Sequence, residues 1–384
     1  MKLTYEPLGK YVRLVDERNA DIVTETVLGI NIDKYFMPSV ANVIGTDLSN
    51  YKLLRYGRFA CNPMHVGRDG RLPVARYTDE IPAIVSPAYF MFEIIDETII
   101  EPEYLMLCFR RPDFDRMCWF RTDASVRGGI SWEDVCALSI PVPSINEQRK
   151  IVHDYQVITD RIGLLRDIKE DLINVVMTSY FELLEHVTCI SYTIGEIAER
   201  IAMGPFGSNI KVETFVPSGV PIISGNHLRD YFLDESSGYN YVTNDHANKL
   251  KNSIVKTGDI VFTHAGNIGQ VALIPKEARY SSYVISQRQF FLRCNEKALP
   301  LIVLCFFHSP EGQRKLLSYA NSTGVPSLSQ PATNIKKIEL KLPTIQEQNK
   351  WGQFIEPILD LYMNYHFQIE ELVRLKEIML CKMG

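Results

Sequence analysis

Apolar residues recur with two different periods along this chain. Over 145–186 the spacing is helical. Ile151, Ile158, Leu165, Leu172 and Ser179 return every seven residues, with Tyr155, Ile162 and Val176 between them. The same seam reappears over 345–381, where Trp351, Ile358, Tyr365, Leu372 and Met379 are interleaved with Ile355, Tyr362 and Ile369. Heptad seams of this kind face a partner helix. A helix of about 38 residues extends about 57 Å at ~1.5 Å per residue, more than packing on a small domain requires. The two seams are therefore expected to mate with each other. Pro357 is expected either to kink the second helix or to mark its true start. Elsewhere, short runs of Val, Ile, Tyr and Phe lie between turn residues and short helical segments, which predicts compact α/β domains.

The octet PSINEQRK at 143–150 returns as PTIQEQNK at 343–350. At this offset Pro143, Ile145, Glu147, Gln148 and Lys150 fall on Pro343, Ile345, Glu347, Gln348 and Lys350. Upstream, VSPAYFMFEI at 85–94 meets ISQRQFFLRC at 285–294, and Gly57 answers Gly258 one position out of register. The period is far longer than that of a solenoid, so the chain is an internal duplication of a domain with its tail. In each octet a hydroxyl residue precedes a glutamate by three positions, Ser144 before Glu147 and Thr344 before Glu347. That spacing is a capping box, with a preceding proline holding the approach extended. The expected organisation is globular α/β domains at 1–143 and 188–342, with helices at 144–187 and 343–384. Paired as an antiparallel coiled coil, the helices give a mixed α/β fold with a pseudo-twofold internal repeat.

Composition narrows what such a scaffold can do. A chain of 384 residues that is 46% hydrophobic can build two or three domains with real cores. Its formal net charge of −5 removes any global electrostatic case for nucleic acid, so a DNA or RNA site has to be local. The longest apolar run, LPLIVLCFF at 299–307, is too short to span a bilayer, and the N-terminus lacks a signal-type core. A soluble, cytoplasmic protein is expected. The 8 cysteines are scattered without a C-x-x-C pair and read as reduced thiols, and no metal site is expected.

Residues 51–78 carry Lys52, Arg55, Arg58, Arg68, Arg71 and Arg76 against Asp69 alone, interleaved with aromatic residues. This composition suits phosphate contacts and base-edge readout. Lys52, Arg55, Arg58 and Arg68 are the candidates there, and Arg127, beside two glycines at the helix approach, is another. In the second half, GPFGSNIK at 204–211 offers Ser208, Asn209 and Lys211 as donors on a glycine-rich turn. It lacks the Gly-Lys-Ser/Thr ending of a nucleotide-binding loop. Arg288 is a further candidate, whereas HAGNIGQ at 264–270 reads as a hairpin turn. Hydrolase signatures G-x-S-x-G and H-E-x-x-H are absent from the sequence, and no catalytic residue is assigned.

Taken together, the paired P-[ST]-I-x-E-Q sites with their helices, GPFGS at 204–208 with GVPII at 219–223, KTGDIVFTHAGNIGQVALI at 256–274 and GGISWEDVCALSIPVP at 129–144 resemble the DNA-specificity subunit of type I restriction-modification systems. The resemblance covers essentially the whole chain. It implies two target-recognition domains, each reading one half of an interrupted double-stranded DNA site, with the helices fixing the spacer. It also implies docking of two modification subunits and, through them, restriction subunits. S-adenosylmethionine, ATP and Mg then belong to those partners, and this chain binds no cofactor and catalyses nothing itself. The first half departs from the family pattern with GRFACNP, where relatives often place an acidic residue after the glycine. Two other readings share part of the pattern: a coiled-coil scaffold binding only proteins, and an adenine-specific DNA methyltransferase suggested by NPMH at 62–65.

Overall fold

In the computed structural model residues 4–40, 45–64, 66–122, 128–321 and 324–383 are described. The chain divides into two compact units, residues 1–164 with 371–384, and residues 165–370. Each unit therefore holds part of both long helices.

The first unit is built on an antiparallel sheet in the order Val12–Leu14, Phe90–Ile94, Phe59–Cys61, Val74–Arg76. The second repeats it as Ala198–Met203, Gln289–Cys294, Ile260–Thr263, Val271–Leu273. After the sheet each half has two short helices, Pro102–Arg110 with Pro112–Phe120 and Pro300–His308 with Pro310–Leu317, and every one begins on proline. Proline suits this position because its missing N–H would have had no intrahelical partner. The aromatic cores correspond as well. Phe59 stacks on Phe92 at 5.2 Å with Phe109 edge-on, and Phe262 stacks on Phe290 at 4.8 Å with Phe307 edge-on.

The halves differ beside this framework. In the second, Val220–Ile223 pairs in parallel with Tyr283–Ile285, and Asn240–Val242 and Ile254–Val255 complete a four-stranded sheet. In the first, Lys52–Leu54 with Ala83–Val85 forms only a two-stranded pair. The charges under the sheets have diverged too. Asp259 is buried and takes a bidentate bond from Arg293, both contacts at 2.7 Å. The matching positions carry Arg58 and Glu93, and these find other partners, Glu17 at 2.6 Å and Arg13 at 2.6 Å. The missing acidic residue after Gly57 is thus a rewired ion pair.

The long helices are Ile145–His186, of 42 residues, and Ile345–Lys382, of 38. Glu147 accepts from the Ser144 backbone N–H at 3.0 Å and its hydroxyl at 2.8 Å. Glu347 does the same for Thr344, and its own N–H donates to Thr344 Oγ1 at 3.4 Å, closing the box. One turn further in lies a feature that capping does not explain. Gln148 is fully buried; its Nε2 donates to the carbonyls of Ile99 (2.8 Å) and Pro143 (2.9 Å), and its Oε1 accepts from Glu101 N–H (2.9 Å). Gln348 repeats this bond for bond with Lys297, Pro343 and Leu299, at 3.0, 2.9 and 2.8 Å. These glutamines clamp each helix start to the loop ahead of the short helix pair.

Within the second unit the long helices run antiparallel, because Trp351 Nε1 donates to Ser179 Oγ at 2.9 Å while Lys169 meets His366 at 3.3 Å. Leu165, Val176, Trp351, Ile355 and Tyr362 are buried on this seam, with Leu172 and Ile358 partly buried against it. Tyr180 rather than Ser179 fills the core at the end of the first heptad series, consistent with the drift of a straight helix against a strict seven-residue repeat. In the first unit Ile151 and Tyr155 pack on the core, and the Lys376 ammonium lies 4.5 Å over the Tyr155 ring. Ile158, Tyr365 and Leu372 are half-buried. Pro357 does not mark the helix start, since the helix runs unbroken from Ile345. Its ring lies on an exposed face, as does Gln353 four residues earlier, so water can take the carbonyl whose helical bond is lost.

Candidate nucleic-acid interface

At one end of the second sheet, where Met203 pairs with Phe290 and Thr263 with Gln289, three of the loops singled out in the sequence converge. Gly204 N–H donates to Gln289 O at 2.8 Å, and a Cβ on Gly204 would lie 1.9 Å from the Ser286 carbonyl oxygen. Only glycine fits this approach. His264 N–H donates to Arg288 O at 2.9 Å, and its Nε2 lies 3.1 Å from Gln287 O. Burial holds the His264 imidazole below its usual pKa, so the neutral ring donates from Nε2. Thr263, Gln270 and Gln289 form the floor below, with Thr263 Oγ1 to Gln270 Oε1 at 3.1 Å and Ser286 bonded to Gln289.

Beside these loops lies a cleft of about 690 Å³, lined in part by Lys211, Ser224, Asn226, His227, Asn240, Gln287 and Arg288. No carboxylate is among its described lining residues. In a chain of net charge −5, this is a local reversal of sign. Arg229 adds a third cation nearby, its Nη2 2.7 Å from Asn226 Oδ1. His227 is a fixed wall: Nδ1 accepts from Ser224 N–H at 2.9 Å, Nε2 donates to Gly238 O at 2.9 Å, and the ring stacks on Tyr239 at 4.3 Å. Behind it, buried Glu235 accepts from the hydroxyls of Tyr239 (3.1 Å) and Tyr283 (2.7 Å) and from Arg279 N–H (2.9 Å). Amides, hydroxyls and cations on a rigid wall can pair with phosphates and base edges.

The structure gathers Lys211 and Arg288 on this cleft. Asn209 is exposed beside it, with its carbonyl accepting from His246 Nε2 at 2.7 Å. Ser208 belongs to the turn Gly207–Asn209, and its side chain lies outside the described parts. Arg127 lies outside the described residues. The candidates of the first half are distributed differently. Lys52 is buried, its Nζ donating to Tyr89 O at 2.7 Å and 3.6 Å from Asp16. Arg55 (2.8 Å) and Arg58 (2.6 Å) converge on Glu17, with Arg58 also donating to Leu53 O. The Arg55 guanidinium, supported by Arg58, holds the Glu17 carboxyl below the usual carboxylate range. Arg68 is exposed and paired with its neighbour Asp69 at 2.7 Å. Sequence reasoning did not single out Asn226, Asn240 or His227. The traces of this cleft in the sequence were Lys211 in the turn at 204–211 and Arg288 in the 285–294 segment.

Two side observations bear on chemistry. Asn62 of NPMH accepts Met64 N–H at 3.0 Å in a local turn. Asp234, His366 and Glu370 bring ligand-type atoms within 4.8 Å of one another. Lys169, also bonded to Asp230 at 3.0 Å, donates to His366 Nδ1, so the ring proton sits on Nε2 facing Glu370 at 3.7 Å. Burial and the neighbouring Lys169 both lower the His366 pKa, and Arg279 neutralises Glu370 at 2.6 Å. The charged pairs here are Lys169 with Asp230 and Arg279 with Glu370.

Residues 191–374 match the family described as type I restriction modification DNA specificity domain. No curated protein sequence matches the chain. Among solved structures it is similar in fold to the S subunit of a type I restriction-modification system from M. genitalium, with 13% identity and a TM-score of 0.53 over 100% of this chain and 96% of that one. A chain from structural work on complex assembly and conformational transition of the type I R-M system has 15% identity and a TM-score of 0.48, covering 100% of this chain and 98% of that one. No helix among the described residues is long and apolar enough to cross a membrane.

Proposed function

We infer, from the match of residues 191–374 to the type I restriction modification DNA specificity domain family, that this chain is the sequence-specificity subunit of such a system. In this reading the second domain reads one half of a split duplex site and the duplicated first domain reads the other. The helix pair sets the unread spacer. Two modification subunits carry S-adenosylmethionine to the site in the cytoplasm, and restriction subunits join through them. The chain contributes choice of site and no chemistry of its own.

The observation that carries this reading is the cleft holding Lys211 and Arg288 with no carboxylate in its lining. Cations at such a site displace counterions from DNA, and amides beside them supply base-edge contacts. A scaffold binding only proteins would share the helices and would have no need of this sign reversal. Methylated adenines mapped in the host genome test the proposal. A two-part motif that disappears when this chain is deleted, and that fails to return with Lys211→Glu plus Arg288→Glu, is the expected result. A motif that survives deletion of the chain refutes it.

A further inference from the structure

We propose that Phe206 is a base-stacking wedge, the residue with which the second domain distorts or probes the DNA stack. The inference rests on the DNA-recognition reading above and adds a contact from the loop that leads into that cleft at Lys211. Phe206 is 74% exposed, the most exposed Phe, Tyr or Trp among the described residues of its unit. The exposure is not that of a loose loop. The two residues before it, Gly204 and Pro205, are buried, and Gly204 is pinned by its bond to Gln289 O and by contact with the Ser286 carbonyl. On the other side, Asn209 N–H donates to Phe206 O at 3.2 Å, and His246 holds the Asn209 carbonyl. A large apolar ring is thus presented to solvent on a backbone fixed at both ends.

Its surroundings select the ligand. The same turn that pins Gly204 carries Arg288, and Lys211 follows five residues after Phe206. A rigid exposed ring on a loop that leads into a cation-lined cleft matches a polyanion whose interior is a stack of flat apolar faces. Phe side chains inserted at a base step unstack it and kink the duplex, and a ring over an extruded base is stabilised by stacking. In either case the phosphates are met by the cations of the cleft, Lys211 and Arg288.

The test uses the full chain with the subunits that co-purify with it and a pool of duplexes with a randomised core. Once a sequence is enriched, 2-aminopurine is placed at successive positions. Wild-type binding is expected to raise fluorescence at one step. Phe206→Ala should abolish that rise and weaken binding roughly 10-fold, with the salt dependence unchanged because no cation is removed. Phe206→Leu should retain part of both effects. The exposed position predicts unfolding temperatures equal to wild type. If Phe206→Ala binds the enriched duplex as tightly as wild type with the same fluorescence profile, the wedge is wrong while the recognition reading stands. A pool that yields no enriched sequence with wild type overturns that reading and the wedge with it.

Discussion

Replacing Gln348 by Ala removes three hydrogen bonds from a site with no access to water. Leu299 N–H loses its acceptor, and the carbonyls of Lys297 and Pro343 lose their donor. An orphaned buried N–H costs about 1–3 kcal/mol and each lost bond to a carbonyl about 1 kcal/mol. The sum is about 3–5 kcal/mol. For a unit of this size each kcal/mol lowers the unfolding temperature by about 2–4 °C, so a drop of roughly 6–20 °C is expected in calorimetry. Gln348→Glu should be at least as harmful, since its carboxylate can serve Leu299 but turns an acceptor toward two carbonyls. Gln148→Ala should produce a matching loss in the unit that contains residues 1–164, and Gln346→Ala, on the exposed side of the same turn, should change nothing. A Gln348→Ala protein unfolding within about 2 °C of wild type would refute the idea that this side chain locks the helix start.

Lys34 is buried against Asp115 at 2.7 Å, and burial lowers its pKa, so Asp115→Ala should cost about 3–5 kcal/mol in denaturant melts, while Lys34→Met with Asp115→Leu recovers most of it. Burial pushes the Cys61, Cys108 and Cys305 thiols from 9.0 up to about 12. Iodoacetamide at neutral pH should therefore label exposed Cys381 and spare these three by mass spectrometry. Because their folded pKa values are raised, their contribution to stability is complete below pH 9 and is lost as pH climbs from there toward 12. Pro357→Ala should raise the unfolding temperature of the second unit, because it restores a helical bond to Gln353 at an exposed position; a fall instead would show that the helix uses the bend.

The long helices, their caps and the duplication were legible because each is written in local spacing. Ser144 finds Glu147 three positions on, and Leu165 lies seven after Ile158. The glutamine clamp was not, although both glutamines stood in the repeated octet. The residues that Gln148 and Gln348 hold outside the octet lie 47 to 51 positions away, where no periodicity points. The same limit applies to the basic run at 51–78. Its charge could be counted, but not that Glu17, 38 residues before Arg55, would fold onto it. For Lys211 and Arg288 the chemistry was visible and their common cleft was not, because that cleft is assembled from segments as far apart as 210 and 288.

The cleft without carboxylates also says something about encounters that fail. Under the proposed function, a body carrying a net −5 repels a duplex overall, and the cleft whose described lining lacks carboxylates offers it a place of opposite sign. In that proposal, sequence-blind residence on DNA is brief and the search favours productive orientations.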